Sequence, residues 1–424
     1  MSLGNDTYPL KELNEGASVF SGFAFKSKDF VEEGIPVVKI KNIQNKSIDL
    51  SDIQYFPQDN LNDKHEKFLL KNNDVLIAMT GQGSLGRVGR LKLDNEQLVL
   101  LNQRVGKFIA DEENLHLNYM YHVISSDRYE KILFDRGTGS GQPNLSPEII
   151  LGTEIPMPDF NTQKKIAMIL DNIDDLINLN KRINNHLEQL IKYIHINWFE
   201  EFEPFKDMNF YDTKLGSIPV GWDVKPLQDF IKFQEGPGIR NWQYVEEDGI
   251  NFLNIRCIQN NDLVLDTANM ISKEEANGKY SHFMLNEWDL VISSSGTLGR
   301  YAIVREEHLP LCLNTSIIRF TPLHSFDHYA YVYSYLTSRG FYHYLLTMGS
   351  GSVQLNFGPT HLKQIDLIVP PENILKEYND LIFPLIKQMV TIKSEISKLT
   401  KLRDTLLPKL MSGEIDVSKI NCDI

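Results

Sequence analysis

The chain has 424 residues, of which 42% are hydrophobic and 23% charged, with a formal net charge of −13. It has room for two to four folded domains, and no apolar run approaches the roughly 18–20 residues that span a bilayer. Cys257, Cys312 and Cys422 are far apart and form no C-x-x-C pair, which argues against a disulfide framework and a structural zinc site.

The net charge is −6 over residues 1–160, −2 over 161–210, −5 over 211–371 and zero over 372–424. No block is basic, so a nucleic-acid partner would have to be met by a local positive surface or with the help of other subunits. The opening "MSLGNDTYPL" has neither the basic nor the apolar region of a signal peptide, and a cytoplasmic protein is expected.

Along the chain, "VEEGIPVVKIKNIQ" (31–44) is followed by "DVLIAMTGQGSLGRVG" (74–89), an apolar strand running into a match to G-x-G-x-x-G. A dinucleotide site needs those glycines to open a helix. Here "RVGRLKLDNE" follows, which suits a turn and a second strand. The stretch is expected to be a hairpin tip carrying an arginine. Next come "LNQRVGKF" (101–108), "RGTGSGQPNLSP" (136–147) and "EIPMP" (154–158). In the fourth of these stretches Ser146 is placed to cap a helix with Pro147 in its first turn.

From Gln163 to Trp198 the texture changes. Ile166, Ile169, Ile173, Leu176, Asn180, Ile183, Leu187, Leu190 and Ile194 fall at alternating steps of three and four, the seam of a long paired helix. A helix of about 35 residues is about 50 Å long, more than one small domain can cover, so it needs a partner helix. A turn-rich linker, "FYDTKLGSIPVGWDV" (210–224), comes next.

The whole pattern then returns. "VEEDGINFLNIRCIQ" (245–259), "DLVISSSGTLGRYA" (289–302), "LNTSIIRF" (313–320), "MGSGSVQLNFGP" (348–359) and "DLIVP" (366–370) repeat the five blocks in order. The offset drifts only from 215 to 212, and Trp222 matches Tyr8. A period of half the chain is far too long for a solenoid, so each copy is a domain. The helix returns too, with Tyr378, Leu381, Leu385, Gln388, Ile392, Glu395, Leu399, Leu402 and Leu406 in register with the first seam. Gln388 and Glu395 would interrupt it, Pro384 should kink or break it, and Pro408 should end it. Two sibling domains with paired exit helices predict an α+β protein with an antiparallel coiled coil. Its interface would be Ile173, Leu176, Asn180, Ile183, Leu187, Leu190 and Ile194 against Leu385, Ile392, Leu399, Leu402 and Leu406.

No catalytic constellation recurs in both copies. Walker A, H-E-x-x-H and G-x-S-x-G sequences are absent. Asp74 and Asp289 recur, but each stands at a strand entrance, where a turn residue is expected. No metal site and no cofactor are expected. Tyr329, Tyr331, Tyr333 and Tyr335 alternate as a base-stacking strand would, yet the first copy reads as a helix there, so tyrosines around a packed helix are expected. Recognition suits the polar loops better. Gln142 and Asn144, matched by Gln354 and Asn356, carry amides that can pair bidentately with adenine. Arg87 and Arg300 can reach guanine or phosphate from the hairpin tips, beside Ser84 and Ser295. Arg104 stands where Ser316 stands in the second copy. For each of these the alternative is a purely structural loop residue.

The chain resembles the specificity subunits of type I restriction-modification enzymes over essentially its whole length. The resemblance rests on the duplicated domain-plus-helix order, "LGSIPVGW" (215–222), "GSGxxQxN" leading to "IPMP" and "LIVP", "TQKKIAMILDNID" (162–174) and "LLPKLMSGEIDV" (406–417). It implies target recognition domains at 1–160 and 222–371, each reading half of a split, asymmetric site on double-stranded DNA. Spacer helices at 161–201 and 372–412 would set the separation as a ruler of roughly 15 base pairs, with a linker at 202–221 and a tail at 413–424. It also implies docking of modification (methyltransferase) subunits, two in number, that carry S-adenosylmethionine. Restriction and motor subunits would join for cleavage, and this chain would have no catalysis of its own. A stand-alone methyltransferase would need a glycine-rich cofactor loop and an N-P-P-[YF] tetrapeptide, and neither is present. A bare coiled-coil scaffold would not need two large domains with arginine- and amide-bearing loops.

Overall fold

The computed structural model describes residues 8–44, 46–93, 97–138, 143–348 and 356–420. The chain divides into two compact units, residues 1–177 with 399–424, and residues 178–398.

The first unit is built on a six-stranded sheet ordered Ala17–Ser21, Val105–Ala110, Val75–Ala78, Val88–Arg90, Lys46–Ile48, Ile43–Gln44. Its central strand explains its own sequence. Val75 and Ile77 face a core shared with the helices Leu117–Ile124 and Asp127–Gly137. Leu76 and Ala78 face a second core under the three-stranded sheet Gln54–Phe56, Ile35–Val38, Leu100–Leu101. A strand buried on both faces reads as a near-continuous apolar run, and "VLIA" is one. Asp74 closes the entrance, its carboxylate accepting from the Lys71 amide at 2.7 Å and pairing with Lys107 at 2.7 Å.

The second unit repeats the plan. A four-stranded sheet runs Ile231–Glu235, Ile317–Pro322, Leu290–Ser293, Tyr301–Ile303. Leu290 and Ile292 face one core and Val291 the other. Asp289 accepts from the Asn286 amide at 2.8 Å and lies 3.4 Å from Arg319, the counterpart of Lys107. In both copies the aspartate is a turn residue with a fixed cation. The tyrosine-rich segment is the helix Tyr329–Leu336, with Tyr329, Tyr331 and Tyr333 buried. Ser146 caps the helix Pro147–Leu151 by accepting from the Ile149 amide at 3.3 Å. The linker folds as a hairpin of Phe210–Thr213 and Gly216–Pro219.

Two long helices span Phe160–Phe199 and Glu372–Ser412. In the second unit their segments run antiparallel. Asn180 donates to Glu395 at 3.2 Å, Lys393 pairs with Glu188 at 3.5 Å, and Trp198 packs on Tyr378. In the first unit Arg403 pairs with Asp174 at 2.9 Å, and Ile166 and Leu170 share a core with Leu407 and Leu410.

The inward stripe corrects the expected seam at every second position. Ile173, Asn180, Leu187 and Ile194 lie on it, but between them the buried residues are Leu170, Ile177, Asn184 and Ile191. Leu176 and Leu190 are 49% and 44% exposed, and Ile183 is only partly covered. On the second helix Ile392 keeps its place, while Leu385, Leu399 and Leu406 are part-buried, with Ile386 and Leu407 buried beside the first and last of these. Ile382, Met389, Ile396 and Arg403 stand on the stripe in place of Leu381, Gln388, Glu395 and Leu402. Leu381 and Leu402 are both 47% exposed.

The reason lies in Asn184 and Arg403, polar residues on the true stripe. At their levels the neighbouring register offers Ile183 and Leu402, which makes it look better in sequence. The expected interruptions at Gln388 and Glu395 disappear, since Met389 and Ile396 occupy the stripe. Pro384 sits on the exposed side of an unbroken helix, and that helix continues past Pro408 to Ser412, ending before Gly413 at φ 76°. Among the described residues no helix is long and apolar enough to cross a membrane.

The register is testable by truncation. Ile177→Ala and Ile191→Ala should each destabilise their unit by about 2–4 kcal/mol, whereas Leu176→Ala and Leu190→Ala should stay within about 0.5 kcal/mol. Urea unfolding followed by circular dichroism measures all four.

Candidate nucleic-acid interface

The glycine-rich stretch is a hairpin. Val75–Ala78 and Val88–Arg90 pair antiparallel, with Leu76 opposite Gly89. In the second unit Leu290–Ser293 and Tyr301–Ile303 do the same. The Leu-Gly-Arg motif survives duplication for structural reasons. Leu85 and Leu298 are buried, and Gly86 and Gly299 have φ of 80° and 74°, a region that side chains avoid.

Each tip is tied to two other loops by the same backbone bonds. In the first unit the Met79 amide donates to the Arg104 carbonyl at 3.0 Å and the Leu145 amide to the Met79 carbonyl at 2.8 Å. A bridge joins Thr80 to Asn144. In the second unit the Ser294 amide donates to the Ser316 carbonyl at 2.9 Å and the Phe357 amide to the Ser294 carbonyl at 3.0 Å, with a bridge from Ser295 to Asn356. The structure thus gathers Ser84, Arg104 and Asn144 at one junction, and Ser295, Ser316 and Asn356 at its twin. Gln142 and Gln354 lie outside the described residues.

The side chains at the two junctions differ. Arg104, Asn144, Arg300 and Asn356 are exposed. Arg87 is held 3.5 Å from Glu130, so reaching a ligand would mean leaving that carboxylate. Arg300 instead lies 3.4 Å from the Ile258 carbonyl, and Tyr342 packs against Gly299 where Glu130 stands in the first unit. Ser84 lies part-buried over the Thr80 carbonyl at 3.4 Å. Below the second junction, burial raises the Asp289 carboxyl above its usual range even with Arg319 beside it.

Three features were missed in sequence. Gly22 and Gly236 approach the loops before Arg104 and Ser316 so closely that a Cβ would lie 2.4 Å and 2.5 Å from their backbones. Lys107 and Arg319 recur as the partners of the strand-entrance aspartates. Arg90 and Arg305 recur at the offset of 215 and are both buried, a signal that the repeat contained. Arg90 anchors the hairpin to the first long helix, 2.6 Å from Asp171, which also lies 2.8 Å from His122. Arg305 pairs with Asp262 and lies 2.6 Å from Glu307.

Among the described residues no His, Cys, Asp or Glu group is arranged to hold a metal. Cys257 and Cys312 are buried free thiols.

Two sibling α+β units thus carry matched backbone junctions with differing side chains. The chain belongs to the type I restriction modification DNA specificity domain family, whose model matches twice, at residues 5–189 and 219–401. It is 30% identical over 332 residues to the type I restriction enzyme MjaIX specificity subunit of Methanocaldococcus jannaschii, covering 74% of this chain and 72% of that one. It is 20% identical over 433 residues to the EcoBI specificity subunit of Escherichia coli, covering 97% and 87%. The crystal structure of the type I restriction-modification S subunit from M. genitalium matches its fold with a TM-score of 0.53 at 16% identity, covering 97% and 98% of the two chains.

The Arg90 anchor has a pH signature. Burial alone would raise the Asp171 carboxyl, but the His122 hydrogen bond and the Arg90 charge prevail and bring it down to about 2. A depressed carboxylate stabilises the fold above its unfolded pKa, and that stability is lost as pH falls through the folded value. The first unit should therefore lose on the order of 2 kcal/mol between about pH 4 and pH 2. Asp171→Asn should flatten that part of the curve, as read from urea midpoints across pH.

Proposed function

We propose that this chain is the DNA-reading, non-catalytic subunit of a type I restriction-modification complex, each unit contacting one half of a bipartite, asymmetric site. The observation that carries the reading is the duplicated junction: identical backbone bonds hold Arg104 and Asn144 in one unit, Ser316 and Asn356 in the other. A constant frame with altered side chains is what two readers of different sequences require. Base edges in the major groove are distinguished by such arginine and amide groups, while phosphate contacts set position. The acidic balance of the chain fits an assembly in which other subunits supply part of the phosphate contact.

The long helices would set the spacing between half-sites and dock two modification subunits. An exposed apolar stripe on the first helix supports that role. Within the second unit Leu179, Leu190 and Tyr193 are 51%, 44% and 66% exposed, and steps of eleven and three place them on one helical face. Restriction and motor subunits would join this core for cleavage.

Exchange of residues 1–160 for the corresponding domain of another specificity subunit should change one half of the methylated motif and leave the other intact. Methylation mapping of the host genome reads the result, and a change in both halves overturns the modular reading. The double substitution Leu190→Glu with Tyr193→Glu should abolish co-purification of the modification subunit while leaving the thermal unfolding of the chain within about 2 °C, as both side chains are solvent-facing.

A further inference from the structure

We infer that the 3-10 turn five residues beyond Gly22 and Gly236 is a second DNA-contacting element in each unit, presenting Lys28 in the first and Trp242 in the second. The inference rests on the DNA-reading function proposed above.

The two turns are counterparts. Ser27–Asp29 and Asn241–Gln243 are both 3-10 turns, offset by 214, as are Gly22 and Gly236. Both glycines press against the loop that carries a candidate reading residue. The Gln103 amide donates to the Phe23 carbonyl at 2.9 Å, next to Arg104, and Gly236 meets the Asn314 backbone, two residues before Ser316. Each turn therefore starts at the edge of its junction.

At the crest of the turn the copies diverge. Lys26 and Lys28 are exposed in the first unit. Arg240 and Trp242 take their places in the second, where Trp242 is 81% exposed. An indole left in water at that level serves no core. The turn that carries it is held in place: Gln243 accepts from the Arg240 amide at 2.9 Å and donates to Glu275 at 2.9 Å and to the Tyr280 hydroxyl at 3.1 Å. One backbone position thus offers a cation in one copy and an aromatic face in the other. DNA satisfies both, taking lysine at phosphate and an indole against a base or sugar.

The test uses the full chain assembled with its modification subunits and a fluorescein-labelled duplex carrying the methylated motif, with affinity measured by anisotropy across a salt series. Trp242→Ala should weaken binding about tenfold with the salt dependence unchanged, while Trp242→Phe stays within about threefold of the parent. Lys28→Ala should reduce the slope of log affinity against log salt by about one. A parent complex that binds, while Trp242→Ala stays within about twofold of it at every salt concentration, overturns this inference alone. A parent complex that does not bind the duplex overturns the DNA reading and this inference with it.

Discussion

A strand buried on both faces is the constraint from which the rest of each unit follows. Val75–Ala78 and Leu290–Ser293 have no solvent side, so their ends are fixed by two cores at once. A side chain placed just beyond such a strand inherits its rigidity. That is where the hairpin tips begin, and the loops of Arg104 and Ser316 are bonded to those ends through the backbone. Recognition loops gain specificity when a stiff scaffold limits the geometries they adopt.

The duplication separates what the frame needs from what the reading residues vary. Positions that recur with the same structural role are the strand-entrance aspartates and the left-handed glycines, and the arginines behind the hairpins recur as buried residues with different carboxylate partners. Positions that diverge are at the surface of the junctions, where Glu130 holds Arg87 in one unit and Tyr342 stands at the matching place in the other. The buried ion groups add orientation at a desolvation cost. Arg90 is shared by the sheet and the long helix, so it fixes how the hairpin stands on its support.

Much of this is legible in the sequence. The repeat, the α+β class, the hairpin in place of a nucleotide loop, the Ser146 cap and the packed tyrosine helix all follow from local rules: period, turn chemistry and capping. The candidate reading residues stand out because the repeat marks their loops. Arg90 and Arg305 recur just as faithfully but escape notice, because an arginine a few residues beyond a glycine turn gives no local sign of burial.

The amino-acid sequence by itself determined that two copies of one domain exist, where their helices lie and which loops vary between them, because each of those properties is written in neighbouring residues. Only the tertiary structure decided which face of the helices is buried. Two heptad registers share Ile173, Asn180, Leu187 and Ile194 and differ by one residue at the positions between. Periodicity cannot choose between them when Asn184 and Arg403 sit on the true stripe. The choice is made by partners distant in the chain, with Arg403 meeting Asp174 and Met389 entering a core, contacts that no local window contains.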